Sequence, residues 1–154
     1  MYRKILLAYD GSSLSAEVLR EGAELAALCK AELYVLSVAD ISGAVTLAEA
    51  VVEPDLQGAE QAMEQALRAL RSTGLTAAGS VRLGNPATEI AACAREMRAD
   101  LVVVGHTGKG MLARWLQGSV GAMLRDHLAC SLLVTIPRKS SDTTASVEQS
   151  DLES

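Results

Sequence analysis

The run Leu101-Val102-Val103-Val104, leading directly into Gly105-His106-Thr107-Gly108-Lys109-Gly110, constrains the fold of this chain more than any other feature. Four consecutive apolar residues, three of them β-branched, have the length and composition of a strand buried on both faces, as in parallel sheets. The glycines that follow let the backbone turn sharply and leave N–H groups uncovered by side chains, so several donors can converge on one anion. At Gly118-Ser119 a new helical pattern begins, and the unpaired N–H groups and positive dipole end of a helix N-terminus also favour phosphate. One connection is thus flanked by two anion-binding devices. Its first reading is a nucleotide phosphate site.

The rest of the chain repeats the strand-then-helix order. Lys4 to Tyr9 reads as a buried strand ending at Asp10-Gly11-Ser12-Ser13, where the serines are plausible caps for a helix over 14–29. Leu14, Val18, Leu25 and Cys29 fall on one face of that helix. Leu33 to Val38 is a second apolar strand. From Ala39 to about Asp55 the pattern fails, with Gly43 and Pro54 as punctuation, and a connection of that length suits a lid. Ala59, Met63, Leu67 and Leu70 mark a second helix, closed by Ser72-Thr73-Gly74 as a glycine cap closes one. Leu75 to Leu83 alternates loosely and is expected at a sheet edge. Asn85-Pro86 is a strong helix start, with Ile90, Ala94 and Met97 as the buried stripe. Asp100 to Val104 is the fourth strand, and Val120, Leu124 and His127 or Leu128 mark the last helix. Ser131 to Ile136 is the fifth strand, stopped by Pro137. Strands alternating with helices predict one parallel sheet covered by helices on both faces. Ligands of such sheets bind beyond the carboxyl ends of the strands, where the strand order reverses.

Composition narrows the functional classes. The 154 residues suit one domain with an aliphatic core, since 49% are hydrophobic yet Phe is absent and Trp occurs once. A net charge of −5 argues against a nucleic-acid surface or a polybasic membrane patch. No apolar run approaches the ~20 residues needed to span a bilayer. The start, Met-Tyr-Arg-Lys then Ile5 to Ala8, meets Asp10 and two serines too soon for a signal-peptide core, so the expected location is the cytoplasm. Cys29, Cys93 and Cys130 are far apart and lack metal spacing, which suits buried reduced thiols. Residues 138–154 hold five serines, two threonines and four acids, too little apolar surface to order alone. The domain is therefore expected over 1–137, with 138–154 as a disordered polar tail.

Two familiar glycine motifs fail the test at Gly105–Val120. A Walker A loop is absent, because Gly110 rather than Ser or Thr follows Lys109. The dinucleotide-like match Gly108-Lys-Gly110-Met-Leu-Ala113 follows the fourth strand instead of the first and lacks its acidic partner, so it is coincidental. What remains is Gly-x2-Gly-x9-Gly-Ser at 105, 108, 118 and 119. It resembles the ATP-binding signature of the universal stress protein family, in the branch that retains nucleotide binding. The resemblance runs over nearly all of residues 2–137, including Asp10-Gly11-Ser12 and the closing Cys130-Ser131-Leu132-Leu133-Val134.

The resemblance implies a Rossmann-like α/β fold, an open five-stranded parallel sheet of order 3-2-1-4-5, which brings Asp10 to face Gly105. It implies ATP as ligand, with Mg2+ or Mn2+ held by the phosphates, and a homodimer paired through Ser131 to Ile136. Asp10 and the backbone at Val38 lie around ribose and adenine; Gly105, Gly108, Gly118, Ser119 and Val120 lie along the phosphates. Lys109, set between glycines, is a candidate phosphate partner, and Val104 and Thr107 complete the candidate set. The bland readings compete directly: Asp10 also suits a turn or helix cap, and Ser119 caps a helix whatever binds there. His106 lacks an orienting acid, His127 reads as structural, and Trp115 as packing the loop. The chain shows no arginine finger, recognisable general base or paired-carboxylate metal site. The resulting expectation is a stress-response or signalling module that binds ATP, with slow ATP hydrolysis or phosphotransfer as the alternative.

Overall fold

The computed structural model describes residues 1–12, 15–41, 53–105 and 126–136. In chain order these form β1 (Lys4–Ala8), α1 (Ser15–Cys29), β2 (Glu32–Asp40), α2 (Leu56–Ser72), β3 (Ala77–Gly84), α3 (Pro86–Met97), β4 (Leu101–Gly105) and β5 (Ser131–Thr135). All pairings are parallel and the sheet order is β3-β2-β1-β4-β5. The expected architecture is therefore the one adopted, with the loosely alternating β3 at an edge. The phosphate-type loop from 106 onwards, the remainder of the last helix, most of the lid-like connection and the tail lie outside the described residues.

The three central strands are apolar because both their faces are covered. Ile5, Leu6 and Leu7 of β1 and Val102 and Val103 of β4 have no exposed surface. Odd-numbered residues of these strands, among them Leu7, Val35 and Val103, pack under α1 and α2. Their even-numbered neighbours, Leu6, Leu36, Val102 and Val104, pack under α3 together with Leu128, Cys130 and Leu132. The period of two thus divides one hydrophobic sheet into two separate cores. Burying one Leu, Ile or Val in such a layer contributes roughly 1.5–3 kcal/mol before entropy is counted.

Each helix starts for a reason written in the sequence. Asp55 caps α2 by accepting from the Gly58 amide at 2.8 Å. Asn85 caps α3 through the Thr88 amide at 3.3 Å, with Pro86 at the first helical position as expected. The buried stripes differ from the expected ones in detail. In α1 the deep residues are Ser15, Val18, Leu19, Gly22 and Ala26, whereas Leu25 and Cys29 are half-buried and Leu14 lies outside the described residues. Helix α1 turns its small residues to the sheet and so docks closely: a Cβ on Gly22 would lie 2.3 Å from Leu7 Cδ2. In α2, Met63 and Leu70 are buried as expected, but Ala62 and Ala66 go deeper than Ala59 and Leu67 for the same reason.

Strand ends also shift. β2 continues past Val38 to Asp40, because Ala39 and Asp40 pair with Leu83 and Gly84 on β3 whatever their side chains. β5 stops one residue early, leaving Ile136 70% exposed. The three cysteines are free, but only Cys93 is fully buried, with Cys29 and Cys130 half-buried. Burial pushes the Cys93 and Cys130 thiols up from their ordinary value.

Candidate functional site

The strand order reverses between β1 and β4: β1 is followed along the chain by β2 on one side, while β4 pairs on its other. The carboxyl ends of these two strands frame a crevice, and its first wall is built from the residues that end β1. Tyr9 is held past the last β1 rung, its amide donating to the Leu36 carbonyl at 2.9 Å. Its own carbonyl accepts from Ser37 Oγ at 2.7 Å. Ser37 is 1% exposed, so this bond satisfies a buried hydroxyl while fixing where the chain leaves the sheet.

The chain then turns. Gly11 takes φ +80°, a left-handed conformation costly for a residue with Cβ, and a Cβ there would stand 3.3 Å from that of Ala62. Asp10 Oδ1 accepts from the Ser12 amide at 2.9 Å and lies 2.9 Å from Ser15 Oγ. Ser15 Oγ is also 2.6 Å from the Ser12 carbonyl, so its single proton is offered to two acceptors. The bland reading of Asp10 as a turn former and helix brace is thus correct for one carboxylate oxygen. The residue remains exposed, and among the described residues Oδ2 takes no hydrogen bond. One oxygen braces the turn, and the exposed carboxylate keeps its second oxygen for another partner. Tyr9 beside it has its phenol raised from the ordinary value, first by burial and then by the Asp10 charge, with a Ser15 hydrogen bond opposing.

The second wall is the end of β4. Val104 and Gly105 run two residues beyond the last β1–β4 rung, Leu7 with Val103, and both are buried. On the other side Gly105 pairs with Thr135 of β5. Thr135 is 3% exposed and reaches Glu21 of α1 through its hydroxyl at 3.3 Å, tying the end of β5 to the helix that Asp10 starts. The third element is β2, which outruns β1. Its last rung with β1 joins Leu36 to Ala8, and Val38, Ala39 and Asp40 pair with β3 alone. The β1-facing backbone of Val38 therefore lies beyond the last β1 rung, where it can bond something other than the sheet.

Four of the expected site residues, Asp10, Val38, Val104 and Gly105, thus gather at one edge of the sheet. Thr107, Gly108, Lys109, Gly118, Ser119 and Val120 lie outside the described residues, as do His106 and Trp115. Among the described residues no group of three His, Cys, Asp or Glu side chains is placed to hold a metal ion. The residues that sequence reasoning missed are Tyr9, Ser15 and Ser37. Their signal was a small polar residue at an inward position, Ser15 three before Val18 and Ser37 inside an otherwise apolar strand.

The family model described as the universal stress protein family matches residues 1–135. The universal stress protein MJ0531 of Methanocaldococcus jannaschii is 32% identical over 139 residues, covering 87% of this chain and 82% of that protein. The solved structure of hypothetical protein MJ0577 superposes with a TM-score of 0.70 at 26% identity, over 91% of this chain and 99% of the other. A universal stress protein solved in complex with cAMP superposes with a TM-score of 0.65 at 21% identity, over 88% and 97%.

Proposed function

The chain belongs to the universal stress protein family, and on that footing we propose that it binds ATP in the crevice between the ends of β1 and β4. The observation that supports this reading is the parallel pairing of β1 with β4, which puts Asp10, just after β1, and Gly105, the first residue of the Gly-x2-Gly-x9-Gly-Ser series, at the same end of neighbouring strands where strand order reverses. In this reading the second oxygen of Asp10 accepts from ribose hydroxyls, and the backbone at Val38 reads the adenine. The phosphates lie on the backbone donors of Gly105, Thr107, Gly108, Gly118, Ser119 and Val120, with Lys109 as a charged partner. Val104 closes the floor, and Mg2+ or Mn2+ rides on the phosphates. The cAMP bound by the structural neighbour is an adenine nucleotide, which supports the nucleoside half of the reading.

The module acts as a cytoplasmic homodimer whose nucleotide state alters the loop after β4 and, through it, contacts with partners. Strand β5 is an edge of the sheet, and its Leu132, Leu133 and Val134 are half-buried, a surface suited to pairing with a second copy. Turnover is slow or absent in this reading. Mass spectrometry of small molecules released from freshly purified protein tests the ligand directly, and calorimetry with ATP on wild type and Gly108→Leu tests its place. The branched side chain fills the anion nest, so binding is expected to vanish. Unchanged affinity would move the ligand elsewhere, and turnover near about one per second, within the ordinary enzyme range, would make the protein an enzyme.

A further inference from the structure

The opposite end of the strands carries a cavity of about 260 Å³, set between the end of α3 and the turn that enters β5. Its floor is apolar, with Ala91, Ala94 and Leu128 among the residues lining it, while Arg95, Arg98 and His127 form its polar part. Among the described residues no aspartate or glutamate lines it, although acids outnumber lysines and arginines in the chain as a whole. The arginines of this cavity, like Arg3 and Arg71, lie outside the ion pairs of the described residues. Arg20, Arg68 and Arg82 each lie in an ion pair with glutamate, whereas among the described residues Arg95 and Arg98 lie in none. Two guanidiniums outside any ion pair of the described residues, beside an apolar floor, are thus the chemistry of this site.

We propose that this cavity binds a small organic anion, an apolar body carrying a carboxylate. Guanidinium is the side chain suited to carboxylate because its planar fork can donate two parallel hydrogen bonds. The carbonyl end of α3 opposes an anion with only about half a charge, against two full charges on the arginines. Its carbonyls are moreover capped, Ala94 accepting from the Ala99 amide at 2.8 Å and Arg95 from the Arg98 amide at 3.2 Å. The volume is below the roughly 300–1,000 Å³ of drug-sized sites, which selects a ligand the size of a single ring. Cys130 also lines the cavity. Burial and the nearby Asp100 hold its thiol above the ordinary value, so it stays neutral and does not repel the ligand. This site is independent of the nucleotide reading, since its lining and the crevice share no residue.

Benzoate is the probe, used on the full chain. Ligand-observed NMR is expected to detect saturable benzoate binding, with neutral benzamide giving none. Cys130 alkylation by N-ethylmaleimide, followed by peptide mass mapping, is expected to slow about tenfold when benzoate is about ten times its dissociation constant, by mass action. Alkylation of Cys29, on the far side of the sheet, is expected to be unchanged. The exposed pair Arg95→Ala with Arg98→Ala is expected to abolish both effects while leaving the circular dichroism spectrum and thermal midpoint as in wild type. Absence of saturable binding, equal binding of benzamide, survival of binding in the double variant, or unaltered Cys130 alkylation would each overturn the proposal.

Discussion

Asp10 carries two jobs on two oxygens, and a pair of substitutions separates them. Asp10→Asn retains an oxygen for the Ser12 amide and Ser15 but loses the charge; Asp10→Ala loses both. If the carboxylate holds ribose, both variants weaken adenosine and ATP alike, by about tenfold for a charged hydrogen bond worth ~1.5 kcal/mol. Only Asp10→Ala is expected also to lower the unfolding midpoint in urea. Calorimetry and denaturation on the two variants check this. A loss confined to Mg-ATP would instead assign Asp10 to the cation. Asp100 offers a titration at the other edge of the sheet. Its carboxylate accepts from the Arg3 and Lys4 amides at 2.6 and 2.9 Å, which lower its pKa from the ordinary value. A lowered carboxylate stabilises the fold above its unfolded pKa and ceases to do so as pH falls through the folded one. The advantage of wild type over Asp100→Asn is therefore expected in full at neutral pH and to shrink below about pH 4. Urea midpoints across that range measure it.

At the scale of elements, the sheet accepts α1 only at the distance its small residues set. Gly22 sits against the Leu7 side chain, which has no exposed surface and little room to move. Gly22→Val is expected to overpack this contact at a cost of about 1–3 kcal/mol, read as a lower urea midpoint with an unchanged slope. Leu25, the residue that the hydrophobic pattern favours, is half-buried, and its exchange to Ala is expected to matter less than a fully buried leucine would. The pattern misplaced this stripe because periodicity marks large apolar residues, whereas a helix lying close on a sheet buries glycine, alanine and serine. The loop after β4 belongs to this scale too. If Ser119 contacts phosphate as proposed, Ser119→Ala is expected to weaken ATP about fivefold, one lost hydrogen bond of ~1 kcal/mol, since in that reading backbone donors do most of the holding. Calorimetry that gave a loss as complete as in Gly108→Leu would shift the holding role from backbone to hydroxyl.

For the whole molecule, the proposed dimer rests on the edge strand β5. Val134→Lys places a charge in the half-buried run Leu132 to Val134 and is expected to convert a dimer to monomers in light scattering. A wild-type protein that is monomeric at tens of micromolar protein would remove the dimer from the reading. The two clusters of candidate residues lie at opposite ends of the strands. Asp10 and Gly105 follow the carboxyl ends of β1 and β4, while Ala99 and Cys130 precede the amino ends of β4 and β5.

The sequence by itself determined the alternating strands and helices, because a strand covered on both faces must be apolar throughout and helix starts need caps such as Asn85-Pro86. It also showed the apolar strand giving way to glycines from Gly105 on, and Gly105 is the last residue of β4. The strand order came from the resemblance of the glycine series to a family, not from periodicity, which carries no information on which strands are neighbours. Tertiary structure alone decided what depends on packing between distant segments. Asp10 comes to the same end of the sheet as Gly105, 95 positions away, because β1 and β4 pair. Val38 gains an open backbone edge because β2 outlasts β1 by four residues, a length that its neighbour β3 allows. Arg95 and Cys130 come to share a cavity because α3 lies over the end of the sheet where β5 begins. Side-chain type is a local property; adjacency across the sheet is set by hydrogen-bonding between strands that the chain reaches only after long connections.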